Sequence, residues 1–213
     1  MFFLLLVALL METSFGEIID RIAVRVGRTV ITQSQIIEQI RVTAFLNGEE
    51  PDLSANTRRL FASRLVDVIL IRQEMEISRY PIPEMKEIAP MWRRVQETAQ
   101  AAGKDLQQEL ARYQLTEEAV RQNLLLQLTT LRFINYRFRP GISIAESEVE
   151  EYYRERFVPE WRSRSQDNPP EIDEVRDQIE SALTESKLDE EVEKWLKEAR
   201  AQARIQYVEE AFQ

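Results

Sequence analysis

The sequence predicts a mainly α protein: a multi-helix domain with a small antiparallel sheet formed by an N-terminal hairpin and a C-terminal strand. Three observations carry this. Apolar and polar residues alternate from Ile18 to Val26, and a β-branched run, Thr29-Val30-Ile31, follows the Gly27-Arg28 pair. Beyond the hairpin, apolar residues recur at three- and four-residue steps in blocks divided by Pro and Gly. Alternation then returns once, at Ala203–Val208, and a two-stranded hairpin is marginal in water unless a third strand or a helix covers it.

In the hairpin, Ile22, Val24 and Val26 point one way, with Asp20, Ala23 and Arg25 between them, and Gly27 supplies the positive φ of the turn. Thr32 with Gln35 forms a capping-box pattern, Ser34 being the competing cap, and opens a helix with a stripe of Ile36, Ile37, Ile40, Phe45 and Leu46 that Asn47-Gly48 stops. A second helix, roughly Ser54 to Arg79, carries Leu60, Phe61, Leu65, Val66, Val68, Ile69, Leu70, Ile71, Met75 and Ile77. Only Asp67 is polar between Leu65 and Ile71, so this is the expected central core helix, ended by Tyr80-Pro81-Ile82-Pro83.

A third helix is expected from Pro83, with Pro90 inside it forcing a kink or break near Ile88. Ala102-Gly103 closes it, and a short helix from Lys104 to Tyr113 follows. Thr116 caps the longest clear amphipathic helix. Leu115 and Val120 form a hydrophobic staple, the stripe runs Val120, Leu124, Leu128, Leu131, Ile134, Phe138, and Pro140-Gly141 ends it. Glu146 to Phe157 reads as a helix, and the unperiodic stretch Trp161 to Pro170 as a linker. From Glu171 a last helix carries Ile172, Val175, Ile179, Leu183, Leu188, Val192, Trp195, Leu196 and Ala199 into the terminal strand. The expected organisation is therefore residues 1–16 a leader, 17–160 the helical domain, 161–170 a linker and 171–213 a helix and strand packing back on it.

The leader is read from the apolar run Met1–Met11, too short to span a bilayer permanently, followed by Ser14-Phe15-Gly16 before Glu17. That is a secretory signal peptide cleaved after Gly16, and a buried amino-terminal helix or a mis-assigned start is the competing reading. There is no Cys, so neither a disulfide nor thiolate chemistry is expected, and no His, the commonest metal ligand and general base. The net charge of −9 argues against nucleic acid and against anionic lipid. With five glycines the chain holds no phosphate-binding loop, and no apolar run after the leader would cross a membrane.

The constellations that imitate a site have plainer explanations. Glu117-Glu118, Glu150-Glu151 and Asp189-Glu190-Glu191 fall on helix starts and solvent faces, whereas paired-carboxylate catalysis needs convergence in a cleft. Arg132-Phe-Ile-Asn-Tyr-Arg-Phe-Arg139 interleaves bases with aromatics, but its arginines sit where a helix dipole favours cations and its aromatics continue the apolar stripe. Serines and threonines have no base partner. No catalytic residue, metal site or cofactor is expected. Phe45, Met85, Met91, Trp92, Phe157 and Trp161 remain. Singly each is a core residue, but as a group they are the expected lining of an apolar groove, because Met suits promiscuous surfaces and a helix broken at Pro90 leaves apolar surface uncovered.

The hairpin Asp20-Arg-Ile-Ala-Val-Arg-Val-Gly27, the segment Val30-Ile-Thr-Gln-Ser-Gln-Ile36, the helix Leu65-Val-Asp-Val-Ile-Leu-Ile71 and the closing stretch Lys187 to Ile205 together resemble the SurA-type periplasmic chaperone domain. The resemblance covers most of the chain after the leader, in the family's order. It departs in having only Phe157–Pro170 where relatives insert parvulin-type prolyl isomerase domains, in lacking histidines, in Gln114 where the family often has Gly, and in Ala145 where a Ser, Thr or Asp cap is usual. The resemblance implies a periplasmic, ATP-independent, non-enzymatic chaperone that holds unfolded outer-membrane or exported polypeptides. The alternatives are a prolyl isomerase with an unrecognised site, and a non-catalytic assembly subunit that pairs with a second copy by strand or helix exchange.

Overall fold

A computed structural model describes residues 20–213; the expected leader and the Ile18 start of the ribbon lie outside them. The protein is mainly α with one three-stranded antiparallel sheet. Strand β1 (Ile22–Val26) lies between β2 (Thr29–Thr32) and β3 (Ile205–Tyr207), giving the order β2-β1-β3. The far end of the chain therefore supplies the strand the hairpin needs, with Val24 opposite Tyr207 and Val26 opposite Ile205. Bonds from Gly27 N–H to the Arg204 carbonyl and from Val208 N–H to the Ala23 carbonyl, both 2.9 Å, continue the ladder at each end. On the other side Ile22 faces Thr32 while Val24 faces Ile31, so Ala23 is the extra residue of a bulge. That corrects the simple alternation: the bulge turns Ala23 inward beside Val24, and both are buried.

Helix α1 (Gln33–Asn47) starts at Thr32, whose hydroxyl accepts from Gln35 N–H while the Gln35 side chain accepts from Thr32 N–H, and ends on Gly48 at φ +71°. Helix α2 (Ala55–Ser78) is capped by Ser54 and ends on Arg79 in the left-handed region. Its buried positions pass from Phe61, Ala62, Val66 and Leu70, packed against the sheet, to Ile71 and Met75, packed against Phe133. Leu60 and Ile77 belong to neither set and are exposed, Ile77 by 78%, contrary to the expected stripe.

No α-helix begins at Pro83. A 3₁₀ turn (Met85–Ile88) comes first and α3 (Ala89–Ala101) starts after it, which places Pro90 in the first turn, where its missing N–H has no helical partner to lose. Helix α4 (Leu106–Arg112) is capped by Asp105, and α5 (Glu117–Phe138) by Thr116. Along α5 the buried face passes from Val120 and Leu124, against α3 and α4, to Phe133, against α2. Leu131, expected in the stripe, is 58% exposed because the helix changes partners there.

Helix α6 (Glu146–Tyr152) runs without a break through a π-helical turn (Tyr153–Phe157) into α7 (Val158–Arg164). The expected linker therefore begins about four residues late, and Trp161 is helical. Pro159 would strip an α-helix of a backbone bond; the wider turn, in which Val158 N–H reaches the Tyr153 carbonyl, leads into a helix whose first turn holds that proline. Helix α8 (Ile172–Gln202) then spans about 46 Å at the usual rise. Its first half buries Val175 and Ile179 against α6 and the π-helical turn, and its second half lays Trp195 and Leu196 on α2 and α5. Arg200 fixes that seat: its guanidinium donates to Asp67 Oδ1 at 2.6 Å and to the Ser63 carbonyl at 2.7 Å, and the Asp67 bond holds the arginine pKa above its usual value.

Candidate binding cleft

Helix α5 stands off from α1 and α2 along part of its length, leaving a trough rather than a closed seam. Its larger part holds about 500 Å³ and is walled by Val42, Val68, Met75, Leu125 and Leu126, with Tyr80 and Ile82 at its mouth. A second recess of about 360 Å³ shares Gln39, Val68, Asn123, Leu126 and Thr130 with it and runs on to Phe61, Leu65, Leu131 and Ile134. The exposed apolar side chains Ile82, 59% accessible, and Leu131 thus line adjoining recesses of one trough. Glu38, Glu76, Arg72 and Arg79 line the larger recess with balanced charge.

Side-chain amides bridge α5 and α1 beside the trough. Asn123 Nδ2 donates to Gln39 Oε1 at 2.8 Å, and Gln127 Nε2 donates to Asn123 Oδ1 at 2.7 Å. Asn123 is buried, so this pairing removes the penalty of an unsatisfied amide. Thr129 is buried as well, and its hydroxyl donates to the Leu125 carbonyl at 2.6 Å. Apolar walls with amide and hydroxyl groups among them suit an extended polypeptide, which offers apolar side chains and regularly spaced backbone donors and acceptors. Nearby charge is structural: Arg132 donates to Glu87 at 2.5 Å, and that bond draws the Glu87 carboxyl below the usual glutamate range. Among the described residues, no three acidic side chains gather closely enough to hold a metal ion, and no helix is long and apolar enough to cross a membrane.

The six residues expected to line one groove fall in three places. Phe45 and Met91 share a cavity of about 410 Å³ between α1, α3 and α4, where the Phe45 ring meets Tyr113 edge-on at 5.5 Å. Met85 packs against the same core without lining that cavity. Trp92 is 5% exposed, with the Arg121 guanidinium 4.5 Å over its ring; it is core, because starting the helix at Ala89 turns it inward instead of leaving it uncovered. Phe157 and Trp161 line a third cavity of about 350 Å³ against α8. None of the six lines the main trough. Its own lining, Val68, Leu126 and Thr130 among it, gave one readable signal: Asn123, Gln127 and Thr130 at helical spacing place a polar stripe beside the apolar face of α5.

No family model matches the chain, and a search of curated proteins finds no match.

Proposed function

We propose that the protein is an ATP-independent holdase of the periplasm, which takes unfolded outer-membrane or exported chains into the trough between α1, α2 and α5. The observation that carries this reading is the trough itself: an open channel whose walls combine apolar side chains with satisfied amides and a balanced set of charges, and which exposed Ile82 and Leu131 also line. The closing strand on β1 supports it too, since a helix and strand returning to the first domain is the arrangement the SurA-type resemblance implies. So does Gln114, where the family often has Gly: its φ of +56° is the left-handed conformation glycine favours. Binding is weak and tolerant of sequence because ordering an unfolded client offsets much of the burial. Release follows from competition with the client's own folding.

The test is light scattering of a chemically unfolded β-barrel protein diluted from denaturant, with and without the chain. Suppressed aggregation is expected, and Leu126→Glu should abolish it by placing a charge in the wall of the trough. Thr130→Arg, at a half-buried position shared by both recesses, should do so while leaving the helical circular dichroism intact. Unchanged aggregation at molar excess of the unsubstituted protein refutes the proposal.

A further inference from the structure

The π-helical turn arranges three rings in a row on one helix face. Tyr153 and Phe157 stack with centroids 5.7 Å apart and planes 16° from parallel; Phe157 and Trp161 follow at 6.0 Å and 24°. Side chains four apart on a regular α-helix drift by about 40° per step. The wider turn spans the first of these steps and lies at the start of the second, and near-parallel rings make a ridged apolar surface with a polar atom at each end.

The chain lies across this ladder with its own segment Asp167-Asn-Pro-Pro170. Trp161 Nε1–H donates to the Asp167 carbonyl at 3.1 Å, and the Tyr153 hydroxyl donates to the Pro170 carbonyl at 2.8 Å. The two captured carbonyls are three residues apart. Polyproline II has three residues per turn, so carbonyls at that spacing face the same way. Proline fixes its own φ and pushes the residue before it into the extended region, which covers Asn168 and Pro169, and Glu171 continues at φ −61° and ψ 151°. A row of aromatic rings whose tryptophan N–H and tyrosine O–H hold the carbonyls of a polyproline II strand is the chemistry of proline-rich peptide recognition. The cavity that Phe157 and Trp161 share with Val175, Ile179 and Ala182, and with the polar Glu160, Arg164, Ser165 and Gln178, leaves room for a bulkier ligand.

From this geometry we infer that the Tyr153, Phe157, Trp161 ladder is a docking site for proline-rich segments of other polypeptides, occupied in the free protein by the strap Asp167–Pro170. The strap competes with the ligand, so the apparent affinity is the intrinsic one reduced by the fraction of molecules whose strap is off. The site shares no lining residue with the trough and does not rest on the holdase reading; the aggregation assay and the titration below fail independently.

The experiment is fluorescence anisotropy of a labelled peptide carrying a proline run between glycine and serine flanks, titrated with the full chain, alongside the same peptide with alanine in place of proline. Saturable binding of the proline peptide alone is expected. Pro169→Gly with Pro170→Gly should loosen the strap and tighten binding by about fivefold, a gain that misfolding does not produce. In that glycine background, where the strap no longer competes, Trp161→Ala should weaken binding at least about tenfold, and Trp161→Phe, which keeps the ring and loses the N–H, by less. No saturable binding by either the unsubstituted or the glycine protein, equal binding of the alanine peptide, or undiminished affinity on Trp161→Ala in that background overturns the inference.

Discussion

Phe212→Ala tests whether the last residues are structural. Phe212 is 3% exposed in the core shared by the sheet, α1 and α2. Its ring lies 6.2 Å from Tyr207, with the Arg59 guanidinium 5.1 Å over it. Around it Gln33 Nε2 donates to the Ala211 carbonyl at 2.9 Å, Arg58 reaches the carbonyls of Ala211, Phe212 and Gln213, and Arg59 pairs with Glu209. Deleting a buried phenylalanine ring costs about 3–5 kcal/mol, and a chain end relaxes more easily than mid-chain, which places the loss near 3 kcal/mol. The cation–π contact adds about 0.5–1 kcal/mol. At about 2–4 °C per kcal/mol for a chain of this size, Tm should fall by roughly 7–16 °C. Urea and thermal unfolding followed by circular dichroism measure this, with Ile77→Ala as the exposed control, expected within about 0.5 kcal/mol of the unsubstituted protein. Hydrogen exchange at Gly27 and Val208, whose N–H groups bond across β1 and β3, should accelerate together with the global loss, because β3 leads directly into the tail. A loss no larger than that of Ile77→Ala, or below about 1 kcal/mol, refutes the view that the tail locks the sheet.

Two further predictions concern backbone strain and charge. Gln114→Gly should stabilise the protein by about 1 kcal/mol in urea melts, since a non-glycine residue in the left-handed region costs roughly 1–2 kcal/mol and glycine returns part of that in chain entropy. Acid should destabilise the fold through carboxylates held below their usual range: Glu209 by its bond from Arg59, Glu87 by its bond from Arg132, and Glu148 by the Ala145 backbone N–H and then Lys187. Each has a lower pKa folded than unfolded, so its contribution is complete at neutral pH, declines as pH falls below about 5 and is lost beneath the folded value. Urea midpoints should drop across that window, and Glu209→Gln should flatten part of the drop; identical pH profiles would assign the acid sensitivity elsewhere.

The local parts of the fold were legible because they depend on neighbours in sequence. The Thr32 and Thr116 caps, the Gly48 stop and the return of alternation at Ile205 each follow from short-range geometry. Errors arose where a residue's neighbours are distant. Leu131 and Phe133 exchange roles because α5 passes from one partner to another, which no period along α5 encodes. Trp161 reads as linker because Pro159 and the polar run beyond it signal a stop, whereas the π-helical turn carries the helix past the proline. Ala211 and Phe212 carry no periodic signal at all; their burial depends on Gln33 and Arg58 holding the tail. The trough was missed for the same reason, since a groove is a failure of two helices to meet, and a search for large apolar residues finds the places where they do.

The bridge across that gap is removable. Gln39 and Asn123 hold each other across the gap, and Gln127, exposed, needs only water if Asn123 is lost. Replacing one partner strands a buried amide at a cost of about 1–3 kcal/mol, whereas replacing both with apolar groups of similar shape is close to neutral or stabilising. Gln39→Leu with Asn123→Leu should therefore leave the urea midpoint unchanged or raised, as α5 settles onto Val42 and Val68, while Gln39→Leu alone, which leaves the buried Asn123 Nδ2 without its acceptor, lowers it. If the trough is where unfolded chains are held, the stabilised double variant should lose protection in the scattering assay, since the walls it brings together are those the client would occupy. A double variant that is stable and still protects would mean that the amides serve packing alone and that clients bind on another face.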